Sequence, residues 1–223
     1  MKQFNGTDYD TLYPKTVYNQ VSGVAPAGYG LGGIGKRVTD MNNAQESGFY
    51  SALGASNLPP NVESVQYGSV LVLCSQADRV TQIYFQDVTD GTGAIAVRRL
   101  NGNGWSQWEF INPPMKLGIE YRTAERYLGK PVYAKAVSGG AITPNSKKAI
   151  SMSTVGESIV DTCVAAKLSN GTEIRLPYTD SSGGTSGEVF SSVQSGIVSV
   201  AFTLHGINAT ESTVIAKYTK TTD

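Results

Sequence analysis

Gly68-Ser69-Val70-Leu71-Val72-Leu73, then Val80-Thr81-Gln82-Ile83-Tyr84-Phe85, then Ile95-Ala96-Val97-Arg98-Arg99, then Gly104-Trp105-Ser106-Gln107-Trp108-Glu109-Phe110: this stretch decides the fold. Each run is short, rich in β-branched and aromatic residues, and bounded by Gly, Asn or Asp. That is the pattern of strands joined by tight turns, and it predicts an antiparallel meander over 48–111. Val70 to Cys74 is continuously apolar, which predicts a strand buried on both faces. Asp90-Gly91-Thr92-Gly93 supplies one turn. Leu100-Asn101-Gly102-Asn103-Gly104 supplies another, because Asn-Gly accommodates the left-handed turn conformation. In the final strand, side chains alternate, so Trp105 and Trp108 are expected on opposite faces, one in the core and the other exposed or at an interface.

The whole chain follows the same pattern. It has 223 residues, 40% of them hydrophobic and only 16% charged, with 25 glycines. That is enough apolar material for one large or two small β-rich domains, and too much for disorder. Long runs with helical period are absent. The formal net charge is zero, and no run of Lys and Arg concentrates positive charge, so duplex nucleic acid is not an expected partner. No apolar stretch is long enough to cross a bilayer, and Met1 to Gly6 lacks the apolar core of a signal peptide. The expectation is a product made in the cytoplasm, without membrane insertion.

Three segments are expected. Residues 1–27 form an extended arm, because Asp10-Thr11-Leu12-Tyr13-Pro14 disfavours a helix while its many apolar residues call for a packing partner. Residues 28–114 form a small antiparallel domain entered through Gly28-Tyr29-Gly30-Leu31-Gly32-Gly33-Ile34-Gly35 and closed by Asn112-Pro113-Pro114. The entry contains G-x-G-x-x-G, but no buried strand precedes it and no amphipathic helix follows, so a dinucleotide site is not expected. Residues 115–223 carry about eight strand candidates: Ile119–Arg126, Val132–Val137, Lys148–Met152, Ile159–Leu168, Thr172–Leu176, Glu188–Val193, Ile197–Leu204 and Ser212–Thr219. Broken by Gly and Ser, they predict a β-sandwich or jelly roll. The fold class is therefore all-β throughout.

In order and composition, Gly48-Phe49-Tyr50, Asn57-Leu58-Pro59-Pro60 and the strands quoted above resemble the knob domain of phage tail fibres and of R-type pyocin fibres. Tyr121-Arg122-Thr123-Ala124-Glu125-Arg126-Tyr127-Leu128-Gly129-Lys130-Pro131-Val132-Tyr133 resembles the start of a head domain that ends tail-fibre chains of phages of Gram-positive bacteria. Ile174-Arg175-Leu176-Pro177-Tyr178 and Ala216-Lys217-Tyr218-Thr219-Lys220 resemble it further on. The resemblance implies a receptor-binding protein of a virion tail. Its implied partners are two further copies in a homotrimer, tail or baseplate proteins held through the arm, and a bacterial cell-wall polysaccharide or teichoic acid.

No reaction chemistry is expected. His205 is the lone histidine, and no Gly-x-Ser-x-Gly elbow exists for a serine nucleophile. Glu120, Glu125, Asp161, Glu173 and Glu188 are scattered rather than paired as glycoside hydrolysis requires. Glu125 and Arg126 are spaced as a strand-edge ion pair. One His with Cys74 and Cys163, isolated in different halves and expected as buried free thiols, cannot build a zinc-type site, so neither metal nor cofactor is expected.

Sugar binding needs aromatic planes beside polar groups. One candidate patch is the exposed member of Trp105 and Trp108 with Arg98 or Arg99. The other lies on the head around Tyr178, Asp180 and the loop to Gly187, with His205 and Asn208. Distal domains meet a host first, which favours the head. The alternatives are that both tryptophans serve the core and subunit contacts, and that the head loop is an ordinary surface loop. A purely structural fibre segment without a ligand is the rival class; a glycan-cleaving tailspike is a further one.

Overall fold

A computed structural model describes residues 2–4, 9–11, 34–62, 67–87, 93–179, 184 and 186–222. β1 (Lys2–Phe4) pairs antiparallel with β2 (Tyr9–Thr11) as an isolated two-stranded sheet. The rest of the expected arm, most of the glycine-rich entry, the centre of the Asp90–Gly93 turn and most of the loop from Asp180 to Gly187 lie outside the described residues.

The meander follows as β3 (Lys36–Arg37), β4 (Gly48–Ser51), β5 (Gly68–Gln76), β6 (Arg79–Gln86), β7 (Ile95–Asn101) and β8 (Glu109–Asn112). From β4 to β8 every neighbour is antiparallel, and β3 adds to β4 in parallel. Val70 and Val72 of β5, Tyr84 of β6 and Ala96 of β7 point to one buried side, with Met41, Ala44, Tyr50, Trp108 and Phe110. β5 is not buried on both faces, however. Its inward residues alternate with Leu71, half-buried, and Leu73, exposed. The continuous apolar run reflects a strand whose second face is itself apolar.

The C-terminal half supplies β9 (Glu120–Tyr127), β10 (Lys130–Ser138), β11 (Lys148–Ser153), β12 (Gly156–Leu168), β13 (Glu173–Leu176), β14 (Tyr178–Thr179), β15 (Ser186–Gln194), β16 (Ile197–His205) and β17 (Ala209–Lys220). All eight expected strands are present, and the two-residue β14 is an addition. They form a sandwich: β13-β12-β17-β10-β9 on one side and β11-β16-β15-β14 on the other. Val198, Val200, Phe202 and Leu204 of β16 face Val164, Ala166, Val214, Ala216 and Tyr218 across a second core. This alternation is what the period-2 pattern of β16 and β17 dictates.

The two halves share one sheet. β8 and β9 pair in parallel at a single register position, Phe110 with Thr123, so the meander runs on into the sandwich as eleven continuous strands. Asn112-Pro113-Pro114 ends β8, yet Tyr121 of β9 returns to the first core, its ring edge-on to Phe110 at 5.2 Å. The seam between β8 and β9 is thus built from both halves.

Candidate functional site

On the outward face of the meander, an open cleft of about 720 Å³ lies where the β5–β6 hairpin, the Asn101–Ser106 excursion and the seam converge. Register places its walls: Arg79 opposes Asn101 and Thr81 opposes Arg99, all on the side opposite the core. The excursion is held by local chemistry. Gly102 adopts φ +61°, and its N–H donates to the Asp78 carbonyl at 3.0 Å. A side chain there would be strained and would meet Arg79 Nη1 at 3.3 Å. Ser106 then folds the chain back, its Oγ accepting from the Arg99 N–H at 3.0 Å and its own N–H donating to the Arg99 carbonyl at 2.8 Å.

That return overturns the expected alternation of the tryptophans. β8 begins only at Glu109, and Trp105 bridges back to Leu100 instead of extending the strand. Trp108 is buried in the first core, with its indole N–H donating to the Asn57 carbonyl at 3.0 Å. Trp105 is half-buried and lines the cleft. Both rings rest on one guanidinium, that of Arg98, at 4.3 and 4.6 Å from its Cζ.

Arg98 is therefore not an open ligand group. It is buried, and its Nε donates to Gln82 Oε1 at 2.9 Å. Gln82 in turn donates to the carbonyls of Met41 and Ala44. Burial pulls the Arg98 pKa down to about 10, against a smaller opposing pull from Asp40. The arginine that opens on the cleft is its neighbour Arg99.

The seam supplies the remaining charge. Glu109, at 7% side-chain exposure, accepts from Arg122 Nε at 3.1 Å and from Arg126 Nη2 at 2.6 Å. Arg122 also donates to the Tyr133 hydroxyl at 3.2 Å. Arg126 thus reaches across the seam rather than pairing with Glu125, whose partner is Lys217. None of these contacts is visible in the sequence as a pair. The available signal was the crowding of five of the chain's seven arginines into positions 79–126.

A second cleft of about 560 Å³ shares Arg122 with the first and is walled by Trp108, Phe110, Tyr121, Tyr133, Glu120 and Lys220. Lys220 bonds Glu120 and lies over the Tyr133 ring, 4.1 Å from its centre. The Tyr218 hydroxyl also donates to Glu120, and burial together with that carboxylate raises its pKa.

On the head, the expected residues do not converge on one face. Tyr178 opposes Gly187, which opposes Leu204, so its half-buried ring packs toward the sandwich core. His205 opposes Ser186 and points to the other side of the sheet, its Nδ1 2.8 Å from Asn145 Oδ1. Asn208 is exposed after β16, its carbonyl accepting from the Ser169 N–H. Asp180 lies outside the described residues. Cys74 and Cys163 are free and half-buried. Among the described residues, no three His, Cys, Asp or Glu side chains come together as a metal site, and no helix is long and apolar enough to cross a membrane.

No protein-family model matches the chain, and no curated protein sequence does. Among solved structures, the fold is similar to the R1 pyocin fibre of P. aeruginosa, at 12% identity over 82% of this chain and 66% of that one, with a TM-score of 0.26. It is similar also to an N-truncated R2-type pyocin tail fibre, at 10% identity over 82% of this chain and 95% of that one, with a TM-score of 0.27. A longer R2 fibre fragment from P. aeruginosa gives 10% identity and a TM-score of 0.27, and the chain spans 65% of its length.

Proposed function

We propose that this chain is a receptor-binding component of a phage-type tail fibre that attaches the tail to a bacterial surface glycan without cleaving it. The observation that carries the proposal is the cleft at the seam. There the half-buried Trp105 ring, which rests on Arg98, stands beside guanidinium, hydroxyl and amide groups from the strands and the excursion between them. Stacking on the apolar face of a sugar and hydrogen bonding to its hydroxyls need that combination. The sequence resemblance of residues 48–110 to fibre knobs agrees with it.

A homotrimer fits the part of the meander's outward face away from the cleft. Phe49, Leu71 and Ile83 form a row across three strands, with Phe85 on the side opposite the cleft. Phe49 and Phe85 are exposed, and an apolar sheet face of this kind calls for a partner surface. Three linked copies would raise the avidity of weak sugar sites by about 10²–10⁴.

Light scattering for molar mass, run beside a pull-down on purified cell walls, tests both parts. A trimer that sediments with one host's walls and leaves their glycan length unchanged is expected. A monomer that ignores every wall would move the assignment to a structural fibre segment, and a shortened glycan would move it to a tailspike enzyme.

A further inference from the structure

We propose that one end of the sandwich touches the surface of a neutral lipid bilayer, with the Leu128 side chain entering its outer acyl region. The contact is a shallow one made by turn side chains, not a span. It is independent of the seam cleft and goes beyond the glycan assignment.

The starting observation is a backbone conformation. Tyr127 pairs with Lys130, so β9 and β10 are joined by the two-residue turn Leu128-Gly129. Both turn residues have positive φ, +49° and +82°. Glycine takes that conformation freely, whereas the Cβ of any other residue crowds the following carbonyl. Asn, Asp or Gly is the favoured first residue of such a turn. Among the described residues, six non-glycine positions have positive φ: three are Asn, one is Ser195, and the others are Met115 and Leu128. Packing accounts for Met115, which lies against the first core. It does not account for Leu128, which is 87% exposed. A turn that disfavours leucine thus holds one out in solvent, and what compensates the strain lies beyond the contacts of the fold.

Leu128 leads a larger apolar tip. The Lys130–Glu157 ion pair ties its turn to the one at Thr154–Gly156. The Gly156 N–H donates to the Gly196 carbonyl at 2.7 Å, which brings in the Ser195-Gly196 turn. Tyr127, Val155 and Ile197, one from each turn or its flank, are exposed as well. The charges behind the tip pair among themselves, Lys130 with Glu157 and Lys217 with Glu125.

A tip that is convex, apolar and electrically self-compensated suits a lipid surface. The acyl layer closes around a protruding side chain without a preformed hole, and self-paired charges need no anionic headgroup. The order of groups matches the interface. Leu128 stands at the apex, and Tyr127 and Lys130 stand one step back on the two strands, at the depth where an amphipathic ring and a snorkelling ammonium are favoured.

The experiment floats the full chain with phosphatidylcholine vesicles, which carry neither glycan nor net charge. Wild type should float equally at about 50 mM and about 500 mM salt, because the contact is apolar. In Leu128→Asn the affinity should fall about tenfold or more. That variant should melt no lower than wild type, since Asn fits the left-handed turn. Leu128→Trp should keep the binding, because an indole is at home in the interface.

Equal flotation of wild type and Leu128→Asn, or flotation of neither, would overturn the inference. So would a lower melting temperature in Leu128→Asn, which would place the leucine in a contact of the fold itself. A smaller molar mass of Leu128→Asn in light scattering, with no flotation of wild type, would assign the tip to a second copy instead. Since the vesicles hold no glycan, each of these outcomes leaves the cell-wall assignment to its own test.

Discussion

The Trp105 ring rests on the Arg98 guanidinium, ring centre to Cζ 4.3 Å, and this one contact joins the cleft to the core. Arg98 is 4% exposed, stacks also on Trp108 and binds Gln82, which ties the strands to the turn at Met41–Ala44. A desolvated cation under two indoles and a charged hydrogen bond each contribute about 2 kcal/mol. Arg98→Met should therefore cost about 2–4 kcal/mol in urea unfolding and red-shift tryptophan emission. Arg98→Lys should recover little of this, because an ammonium has no planar face to stack and cannot reproduce the Nε bond.

Trp105 itself divides binding from folding. It is half-buried, whereas Trp108 is core. Trp105→Ala should cost no more than about 1–2 kcal/mol of stability while weakening sedimentation with cell walls about tenfold or more. Trp108→Ala should instead unfold the meander at a cost of about 3–5 kcal/mol. Circular dichroism melts beside the pull-down separate the two, and equal losses of binding and stability in Trp105→Ala would remove it from the site.

Gly68 is required by packing rather than by backbone conformation. A Cβ at this position would lie 2.4 Å from the Tyr84 ring, which is fully buried and cannot withdraw. Gly68→Ala should cost about 1–3 kcal/mol by overpacking, read as a lower urea midpoint with an unchanged slope. The double variant Gly68→Ala with Tyr84→Leu should recover part of that loss, because the clash is with the ring.

Much of this architecture was legible in the sequence because strands announce themselves locally. The alternation Val198-Ser199-Val200-Ala201-Phe202 gave β16 its buried face, and Asn101-Gly102 marked the turn that Gly102 makes at φ +61°. Legibility ended where a residue's environment is set by something distant. The alternation assumed for Trp105 and Trp108 failed because Ser106 bonds back to Arg99 and bends the chain between them. Arg98 looked like a surface cation because nothing local announces that Gln82 and two indoles will enclose it. The Pro113-Pro114 boundary did end a strand, but Tyr121 crosses it to complete the first core. For the same reason the Glu109–Arg122–Arg126 cluster, assembled only by a parallel pairing across the seam, could not be read in advance.

That cluster should behave as a unit. Glu109→Gln leaves two guanidiniums close together around a neutral amide in a partly desolvated site. A loss of about 2–4 kcal/mol is expected, larger than the sum of small surface-pair effects. In Glu109→Gln/Arg126→Gln the repulsion is removed, and stability should rise above that of the single variant. Chemical unfolding of the three proteins decides this; strict additivity would mean that the two side chains do not act on each other.

Alkaline pH should weaken the fold through its buried tyrosines. Burial, reinforced by the charge of Asp87, raises the Tyr84 pKa from 10.0 to about 12. The folded chain then keeps a proton that the unfolded chain loses. Its stabilising share is fully present below pH 10 and is lost as pH rises toward 12, in total about 2–3 kcal/mol. Tyr218 is raised further, by burial and by its bond to Glu120, and acts in the same direction. Arg98 acts oppositely: burial holds its folded pKa at about 10, well below the ordinary guanidinium value, so losing its proton above pH 10 relieves a buried charge. Tyr50 and Tyr121 are also raised by burial, so with four raised tyrosines against one depressed arginine, urea midpoints should fall from about pH 9 to about pH 11. Tyr84→Phe should be slightly less stable near neutrality, having lost its bond to the Tyr67 carbonyl. It should also show a shallower alkaline decline, with one fewer late-titrating phenol in the ultraviolet. An equal slope in both proteins would mean that Tyr84 ionises freely in the fold and that its burial is relaxed in solution.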